Sequence, residues 1–345
     1  MSPKPDVVVV GAGVVGLSVA FHLREGGASV TVVDRAGVGA GASGVQPGGV
    51  RQQWGTRWNC LLARESLRFY SDAVEQLQMR VDPGFQECGY LFLAHSERAL
   101  EGLQANVALQ NDLGVPSRIL SPGEAGGLVP GLRVDTVVGA AWCDEDGYFD
   151  RPQAIVEALG ALFDVQLRDV SDLNELEADA VVVAAGAETS GLLPELPIHA
   201  EARTLFFSDP VGERLLEPLV VSPERGLAAK QLSDGRLLAS DLRSGTRANL
   251  RSGFEELLPR LVYVALPAVV EGLYDVTPDH QPILGRVRDR VWVAAGFSGR
   301  GFMQAPAIGR IVAESVLGTG SDPALDVFDA ARFAENRLVP EPSVV

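Results

Sequence analysis

The sequence predicts an α/β fold, α+β overall, in which one domain has a parallel sheet and a second domain has an antiparallel sheet. At 345 residues the chain is longer than one ordinary hydrophobic core accommodates, which favours two domains. The buried-type strand at residues 7–10 leads into a glycine turn and an apolar helix, a pattern typical of parallel α/β units. Between residues 203 and 278, short strand-like runs alternate with turn signals, as in an antiparallel sheet.

The charge and composition argue against several classes of function. The formal net charge of −16 disfavours nucleic acid and anionic membranes as partners, because phosphate binding requires clustered cations. The 3 cysteines and 4 histidines are scattered, so neither a disulfide framework nor a metal site is predicted. No apolar run is long enough to span a membrane. The first residues lead directly into a strand and do not resemble a signal peptide, which predicts a cytoplasmic location.

Three glycines near the start of the chain form a dinucleotide-binding pattern. Gly11, Gly13 and Gly16 have GxGxxG spacing between a strand and a helix, and the next strand ends at Asp34. The first glycine permits a tight turn, the second lets the backbone approach a pyrophosphate, and the third lets the helix pack closely. The helix N-terminus offers N–H groups and a positive dipole to the phosphates, and Asp34 can accept hydrogen bonds from a ribose 2′-hydroxyl. The pattern predicts a dinucleotide but does not distinguish FAD from NAD.

The segment that follows Asp34 favours FAD. An NAD-type domain would continue with alternating strands and helices, whereas residues 36–56 form a long loop rich in glycine. Small residues in such a loop allow a large flat ligand to lie against the main chain. On composition alone a flexible surface loop is an equal interpretation, and an NAD-dependent dehydrogenase stays an alternative.

The middle of the chain is predicted to interrupt the first domain twice. A helix is expected over residues 60–78, a strand over 85–94 and a turn over 144–152. Residues 178–193 contain a second buried strand that ends in small residues, which indicates a return to the first sheet. The predicted division is residues 1–80, 140–198 and 268–345 for the first domain and residues 81–139 and 199–267 for the second.

A second glycine loop lies near the end of the chain. Residues 291–295 have the pattern of a strand that returns to the parallel sheet, and Gly296, Gly299 and Gly301 follow it. These glycines let the backbone pass close to a ligand. Pro306 suits the first turn of the helix that follows, whose apolar residues share one face.

In their order along the chain, these motifs resemble those of the D-amino-acid oxidase-like superfamily of FAD enzymes. The resemblance covers nearly the whole chain and rests on GAGVVG with Asp34, GASGVQPGGVRQQWG, VVVAAGA, YDVTPDHQPILG and GFSGRGFMQAPAIGR. The chain is most similar to the branch of the sarcosine oxidase β-subunit, the L-proline dehydrogenase β-subunit and dimethylglycine dehydrogenase. The resemblance implies a discontinuous, glutathione-reductase-like FAD-binding Rossmann domain and a substrate domain whose antiparallel sheet covers the flavin ring. It also implies oxidation of an amino acid's C–N bond by hydride transfer to flavin N5, which gives an imine that water hydrolyses.

The resemblance further implies which residues hold FAD. The loop of residues 11–16 and Asp34, at the end of the second strand, would bind the ADP moiety. The two later loops, residues 48–51 and residues 296–303, would lie near the flavin ring. Gly272 stands where branches with covalent flavin have a cysteine, so FAD is expected to be non-covalent. The implied FAD-binding residues are Gly11, Ala12, Gly13, Val14, Val15, Gly16, Asp34, Arg35, Ala42, Ser43, Gly48, Gly49, Val50, Arg51, Val170, Ala185, Gly186, Gly272, Gly296, Phe297, Gly299, Arg300, Gly301, Phe302 and Met303.

Arg51, Arg300 and Tyr274 are the candidate catalytic residues. An arginine suits a substrate carboxylate because its planar fork binds both oxygens, and Arg51 and Arg300 lie one on each flavin-facing loop. Tyr274 stands where glycine oxidase-like relatives have a carboxylate-binding arginine, and Arg300 stands where the family usually has a histidine. Tyr274 is expected either to line the pocket or to be a buried core tyrosine, and His280 to stabilise a turn.

Several alternatives stay open at this level. The predicted substrate is a small amino acid of the sarcosine, proline or glycine class, and the electron acceptor is O2 or another redox partner. Oxidase and dehydrogenase are therefore both compatible with the sequence. The sequence is also compatible with a subunit or assembly factor that carries FAD without oxidising amines. The protein is also a possible subunit of a hetero-oligomer. The sequence does not decide whether Arg51 or Arg300 holds the carboxylate, or whether either is instead a surface arginine or part of an internal salt bridge.

Overall fold

The computed structural model describes residues 5–343 and contains two large sheets and one small sheet. The strands are β1 (Asp6–Val10), β2 (Ser29–Asp34), β3 (Gly49–Val50), β4 (Phe85–Gln86), β5 (Tyr90–Ala94), β6 (Arg118–Leu120), β7 (Gly139–Cys143), β8 (Gly147–Phe149), β9 (Gln166–Leu167), β10 (Ala180–Val183), β11 (His199–Phe207), β12 (Leu219–Ser222), β13 (Leu227–Gln231), β14 (Leu237–Asp241), β15 (Ala268–Val276), β16 (Ile283–Arg288) and β17 (Val291–Ala295). The helices are α1 (Val14–Glu25), α2 (Ala42–Val45), α3 (Arg57–Ser71), α4 (Ala73–Gln76), α5 (Glu97–Asp112), α6 (Pro122–Leu128), α7 (Gln153–Gly160), α8 (Thr189–Leu192), α9 (Arg247–Leu257), α10 (Gly301–Leu317), α11 (Ala324–Val327) and α12 (Ala331–Ala334).

A sheet of 6 strands, in the order β16-β17-β10-β1-β2-β9, is the parallel sheet that the sequence predicts. β1 pairs in parallel with β2 and β10, β10 pairs in parallel with β17, and β16 runs antiparallel to β17. The central strands β1 and β10 are rich in buried valines, as expected for a parallel sheet covered on both faces. The predicted returns of residues 178–193 and 291–295 to this sheet are confirmed as β10 and β17.

The second sheet has 8 strands in the order β15-β11-β14-β13-β12-β5-β7-β6. Its neighbours are antiparallel apart from β5 and β12, which pair in parallel. Two strands differ from the predicted division. The predicted division assigns β7, from residue 140, and β15, from residue 268, to the first domain. In the structure β7 pairs with β5 and β6, and β15 pairs with β11 over its whole length. Backbone pairing between distant strands decides the sheet, and the hydrophobic pattern of one strand does not specify its partner.

A small third sheet, in the order β3-β8-β4, corrects two local predictions. Residues 144–152 were predicted to be a turn, but they contain β8, which pairs with the glycine-rich loop at Gly49 and Val50. The single strand predicted over residues 85–94 is broken into β4 and β5. The break includes Gly89, whose φ of +78° lies in the left-handed region that favours glycine.

Pro306 lies inside α10 and not in the first turn of a helix, because α10 begins already at Gly301. Proline has no N–H to donate to the Phe302 carbonyl, which precedes it by one helical turn. The hydroxyl of Tyr70 donates to that carbonyl instead. Tyr70 lies on α3, and α3 with the short α4 occupies the region where a single helix was predicted over residues 60–78.

Replacing Tyr70 with phenylalanine is expected to lower the free energy of unfolding by about 1–3 kcal/mol, because the buried Phe302 carbonyl loses its donor. Chemical denaturation of the variant measures this change. The control is Tyr263→Phe, since Tyr263 is 92% exposed and its hydroxyl faces water. Equal unfolding free energies for the two variants would show that α10 tolerates Pro306 without the Tyr70 bond.

Within residues 5–343 no helix is both long and apolar enough to cross a membrane. The same part of the chain contains no group of 3 or more His, Cys, Asp or Glu side chains that could hold a metal ion. Cys60, Cys88 and Cys143 are free thiols, and burial raises the pKa of all three.

Candidate cofactor and substrate site

The first glycine loop has the close backbone packing that its spacing predicts. Gly11 has a φ of +114°, and a Cβ there would overlap the carbonyl oxygen of Ala184 at the end of β10. A Cβ at Gly16 would overlap the carbonyl oxygen of Gly11, so α1 packs directly against the loop. The loop is therefore held between β10 and the first turns of α1, and only glycine fits at these two positions.

The N-terminus of α1 faces two of the predicted cofactor-binding side chains. The Val14 N–H donates to Ser43 Oγ at 2.9 Å, and the Ala12 N–H donates to Asp34 Oδ2 at 2.8 Å. Ser43 lies on α2, so the start of the long glycine-rich loop returns to the first glycine loop. The free N–H groups of a helix N-terminus favour an anion at this place.

Other predicted cofactor-binding residues lie around this region. Arg35 is exposed and pairs with Glu188 at 2.8 Å. Ala185 and Gly186 follow β10 beside the first glycine loop, and Gly186 has a φ of +54°. Val170 comes after β9 and packs against the same apolar cluster as Ala185.

The two later glycine-containing loops are brought together around the aromatic rings of Tyr90 and Tyr274. A Cβ at Gly49 would overlap the Tyr90 hydroxyl and would lie 3.6 Å from Met303 Cε. A Cβ at Gly299 would overlap the Tyr274 ring. The structure thus places Gly48–Val50, Gly296–Met303 and Tyr274 in one region, although Gly49 and Gly299 are 250 positions apart in the chain (299 − 49).

Further contacts fix the edges of this region. Gly272 faces α2, where a Cβ would lie 2.9 Å from Val45 Cγ2. The Gly296 N–H donates to Asp275 Oδ2 at 2.6 Å, which ties the last loop to the end of β15. Burial raises the pKa of both Tyr90 and Tyr274, so their hydroxyls stay protonated at neutral pH.

Arg51 is buried, and its guanidinium already has partners within the protein. Its Nη1 donates to the Gln53 carbonyl, and its Nη2 donates to the Ser343 carbonyl at 2.6 Å. The guanidinium carbon lies 3.5 Å from the centroid of the Trp54 ring, a cation–π contact. Burial lowers the pKa of Arg51, and Nε has no hydrogen-bond partner among the described residues.

Arg300 is equally buried, but both of its hydrogen bonds use a single nitrogen. Its Nη2 donates to the His280 carbonyl and to Gln281 Oε1, the latter at 3.2 Å. Neither Nε nor Nη1 has a partner among residues 5–343. Its guanidinium carbon lies 5.3 Å from the Trp54 ring centroid, so Trp54 contacts both candidate arginines. Burial, and secondarily the charge of Arg51, lowers the pKa of Arg300 to about 10.

His280 occupies the turn that the sequence predicts for it. Its φ is +55°, and its N–H donates to the Thr277 carbonyl at 3.0 Å. Its own carbonyl accepts from Arg300. The turn therefore also orients one of the two arginines, through backbone and not through the imidazole ring.

Sequence reasoning missed Trp54 and Asp146. Trp54 is 1% exposed, and a large aromatic residue inside an otherwise small-residue loop was the signal for it. Asp146 accepts from the Gln52 N–H at 2.7 Å and from Gln53 Nε2 at 3.1 Å, which fixes the loop next to Arg51. Burial raises the pKa of Asp146 to about 7. Nothing in the sequence marks Asp146 beyond its place in an acidic turn.

Lys230 is a buried cation beside the long glycine-rich loop. Its Nζ donates to the Pro47 carbonyl and lies 3.9 Å from the centroid of the Tyr148 ring. The side chain is 2% exposed, and desolvation lowers its pKa from 10.5 to about 7. In the unfolded chain the amine recovers its ordinary pKa.

This difference predicts that Lys230 makes stability depend on pH. Between the folded and unfolded pKa values the unfolded chain binds a proton that the folded chain does not, so stability rises with pH in that window. Compared with Lys230→Met, the unfolding free energy of the wild-type apoprotein should increase by about 1 kcal/mol per pH unit from roughly pH 7 to pH 10. Denaturation curves at several pH values measure the difference. Parallel pH profiles for the two proteins would contradict the prediction.

Comparison with known proteins identifies the family. The profile described as DAO, FAD dependent oxidoreductase, matches residues 6–315. The chain belongs to this family. FAD is therefore its cofactor, and the protein is an FAD-dependent oxidoreductase. The assignment confirms the predicted superfamily and removes the NAD-dependent alternative.

Individual DAO relatives agree with the assignment. The chain is 28% identical over 398 residues to FAD-dependent oxidoreductase domain-containing protein 1 of Bos taurus, covering 91% of this chain and 81% of that protein. It is 27% identical over 381 residues to glycine oxidase of Geobacillus kaustophilus, covering 98% of each. The crystal structure of L-proline dehydrogenase from P. horikoshii superposes with a TM-score of 0.87 at 25% identity, covering 98% of this chain and 100% of that chain. The predicted fold class is confirmed.

The residues present in this DAO member fit FAD. The N-terminus of α1, a helix of 12 residues, is flanked by Ser43 and Asp34, which suits a phosphate and a ribose. A Cβ at Gly13 would lie only 3.1 Å from Ser43 Oγ, so glycine lets α2 approach the start of α1 closely. At Gly49 and Gly299 the two later loops likewise present backbone to the rings of Tyr90 and Tyr274.

Proposed function

We propose that this DAO protein oxidises the C–N bond of a small amino acid or an N-methyl or secondary amino acid, of the sarcosine, proline and glycine class. The observation that carries the proposal is the pair of buried arginines, Arg51 and Arg300, that share Trp54 where the two later loops meet. Buried cations with unpaired N–H groups favour an anionic partner such as a carboxylate. Relatives named glycine oxidase and L-proline dehydrogenase support an amino-acid substrate.

The FAD-binding residues are part of this proposal. The loop of Gly11–Gly16 with Ser43 would hold the pyrophosphate, and Asp34 the ribose. The loops at Gly48–Arg51 and Gly296–Met303 would lie against the ring, and Gly272 leaves the flavin without a covalent link to the protein. Bound FAD supplies the two-electron acceptor for the oxidation.

Arg300 is proposed to hold the substrate carboxylate, with Arg51 in support. Both terminal nitrogens of Arg51 already donate to backbone carbonyls, whereas Nε and Nη1 of Arg300 have no partner in residues 5–343. Holding the carboxylate would position the C–N bond for oxidation, and the burial of both arginines excludes water from the contact. The Tyr274 side chain lines the same region. Because burial raises the pKa of its hydroxyl, that group stays neutral and serves as a hydrogen-bonding group and not as a base.

Anaerobic reduction of the bound flavin tests the proposal. Purified holoenzyme is mixed without oxygen with sarcosine, L-proline, glycine and D-amino acids, and the visible flavin absorbance is followed. At least one of these substrates is expected to bleach the flavin. Bleaching by none would leave a protein that carries FAD without oxidising these amines. Reoxidation by O2, compared with an artificial acceptor, then distinguishes an oxidase from a dehydrogenase.

A further inference from the structure

The segment of residues 339–343 lies outside the part of the chain that matches the family, which ends at residue 315. It nevertheless packs against the loop that follows Arg51. Glu341 is 5% exposed although it is the kind of residue that is rarely buried without partners. Residues 339–343 are called the 339–343 segment below, and the buried carboxyl group of Glu341 is its central polar group.

The carboxyl group of Glu341 accepts hydrogen bonds from one short stretch of the chain. Its Oε1 accepts from the Gly55 N–H at 2.8 Å, and its Oε2 accepts from Thr56 Oγ1 at 2.7 Å and from Asn59 Nδ2 at 2.6 Å. Pro342 packs on Gly55, where a Cβ would overlap the Pro342 ring. Several donors on one buried carboxyl group hold residues 55–59 firmly to the segment.

The same segment reaches Arg51 directly. The Ser343 carbonyl accepts from Arg51 Nη2 at 2.6 Å, and the Ser343 N–H donates to Glu341 Oε1 at 3.0 Å. Ser343 Oγ accepts from Asn106 Nδ2 at 2.9 Å, which fixes its position from α5. Glu341 and Asn106 thus both bind the residue whose carbonyl accepts from Arg51.

A second chain of contacts leads from the segment to Arg300. Asn59 Nδ2, which donates to Glu341, also donates to Gln281 Oε1 at 3.0 Å, and that oxygen accepts from Arg300 Nη2 at 3.2 Å. Gln281 Nε2 in turn donates to the Val339 carbonyl at 2.9 Å. Both candidate arginines are therefore oriented by contacts that converge on residues 339–343.

We propose that Glu341 is a positioning residue: it fixes the 55–59 loop and the 339–343 segment so that Arg51 and Arg300 point toward a substrate carboxylate. The inference rests on the proposed function, because it assumes that these arginines bind a carboxylate. Glu341 itself touches neither substrate nor cofactor in this proposal. Its contribution is to the affinity for an anion and not to the redox step.

The test compares the holoenzymes of wild type, Glu341→Gln, Thr56→Val and Glu335→Gln. Thr56→Val removes one donor to Glu341 and leaves the start of α3 intact, because the Thr56 side chain makes no capping bond. Glu335 is the matched control, since it lies on the same part of the chain but is exposed and pairs with Arg337. Acetate and acetamide, which differ in charge, are titrated while the flavin absorbance is followed. The KM and kcat for a substrate that reduces the flavin are then measured.

Glu341→Gln is expected to weaken acetate binding by about tenfold or more and to raise KM, with acetamide binding, kcat and flavin content little changed. Thr56→Val should show the same selectivity with a smaller effect of about threefold, and Glu335→Gln should match the wild type. Acetate binding as in the wild type for both Glu341→Gln and Thr56→Val would overturn the proposal. If Glu341→Gln loses its flavin, Thr56→Val alone decides.

A separate measurement keeps this inference independent of the proposed function. Hydrogen exchange of residues 51–59 in apoprotein is expected to be faster in Glu341→Gln than in wild type, because the Gly55 N–H loses its charged acceptor. A wild type that neither binds acetate nor is reduced by amino acids would refute the proposed function. Unchanged exchange in the variant would refute the role of Glu341 whatever the substrate.

Discussion

Gly16→Ala is expected to be purified without bound FAD. An alanine Cβ at this position would overlap the carbonyl oxygen of Gly11, and Gly11 cannot retreat because it lies against the Ala184 carbonyl. α1 must therefore move away from the loop, which displaces the helix N-terminus from the proposed pyrophosphate site. Backbone overlap of this kind destabilises a protein by about 3 kcal/mol. The flavin-to-protein absorbance ratio and a denaturation curve of the apoprotein measure both effects.

Gly102→Ala is the matched control for this change. Gly102 also lies within a helix, α5, but a Cβ there meets no atom within 4 Å. Because alanine favours the helix more than glycine does, this variant should be as stable as the wild type or more stable by about 0.5–1 kcal/mol, with full flavin content. A Gly16→Ala protein that retains stoichiometric FAD would place the pyrophosphate somewhere other than at the first glycine loop.

The features that the sequence predicts well are local in the chain. Gly11, Gly16 and Asp34 lie within one strand-helix-strand unit, so their spacing alone fixes their geometry. The last glycine loop is predicted for the same reason, because β17 immediately precedes it. The position of Pro306 within its helix could not be predicted from the local sequence. Its place inside α10 depends on Tyr70, a residue from another helix, whose hydroxyl donates to the carbonyl that proline leaves without a donor.

The arrangement of the substrate region depends on contacts that no local pattern encodes. β15 carries Tyr274 into the antiparallel sheet because it pairs with β11. The sequence pattern of an amphipathic strand does not specify which strand it will pair with. Arg51 and Arg300 were each recognised by residue type, but their shared contact with Trp54 joins positions that are 249 residues apart in the chain (300 − 51). No sequence pattern indicates that Glu341 is buried, since an isolated glutamate in a polar segment ordinarily faces water.

Arg300→Met is expected to lower kcat/KM for an amino-acid substrate by about 100-fold or more, with the flavin retained. Methionine preserves length and burial but removes the charge, so a substrate carboxylate would be desolvated without a partner. Arg51→Met should have a smaller effect on substrate affinity and a larger effect on stability, because both of its terminal nitrogens donate to backbone carbonyls. Steady-state kinetics and acetate titration of the two variants measure the difference.

Arg288→Met controls for the loss of an arginine in general. Arg288 forms an exposed pair with Glu195, so its replacement should leave kcat/KM and acetate affinity unchanged. If Arg51→Met abolishes acetate binding while Arg300→Met does not, the carboxylate anchor is Arg51, and the unpaired nitrogens of Arg300 have another partner. If both variants bind acetate normally, the buried arginines stabilise the loops around Trp54 and the substrate is anchored elsewhere. The ratio of the two variants' acetate affinities therefore decides which arginine the substrate carboxylate contacts.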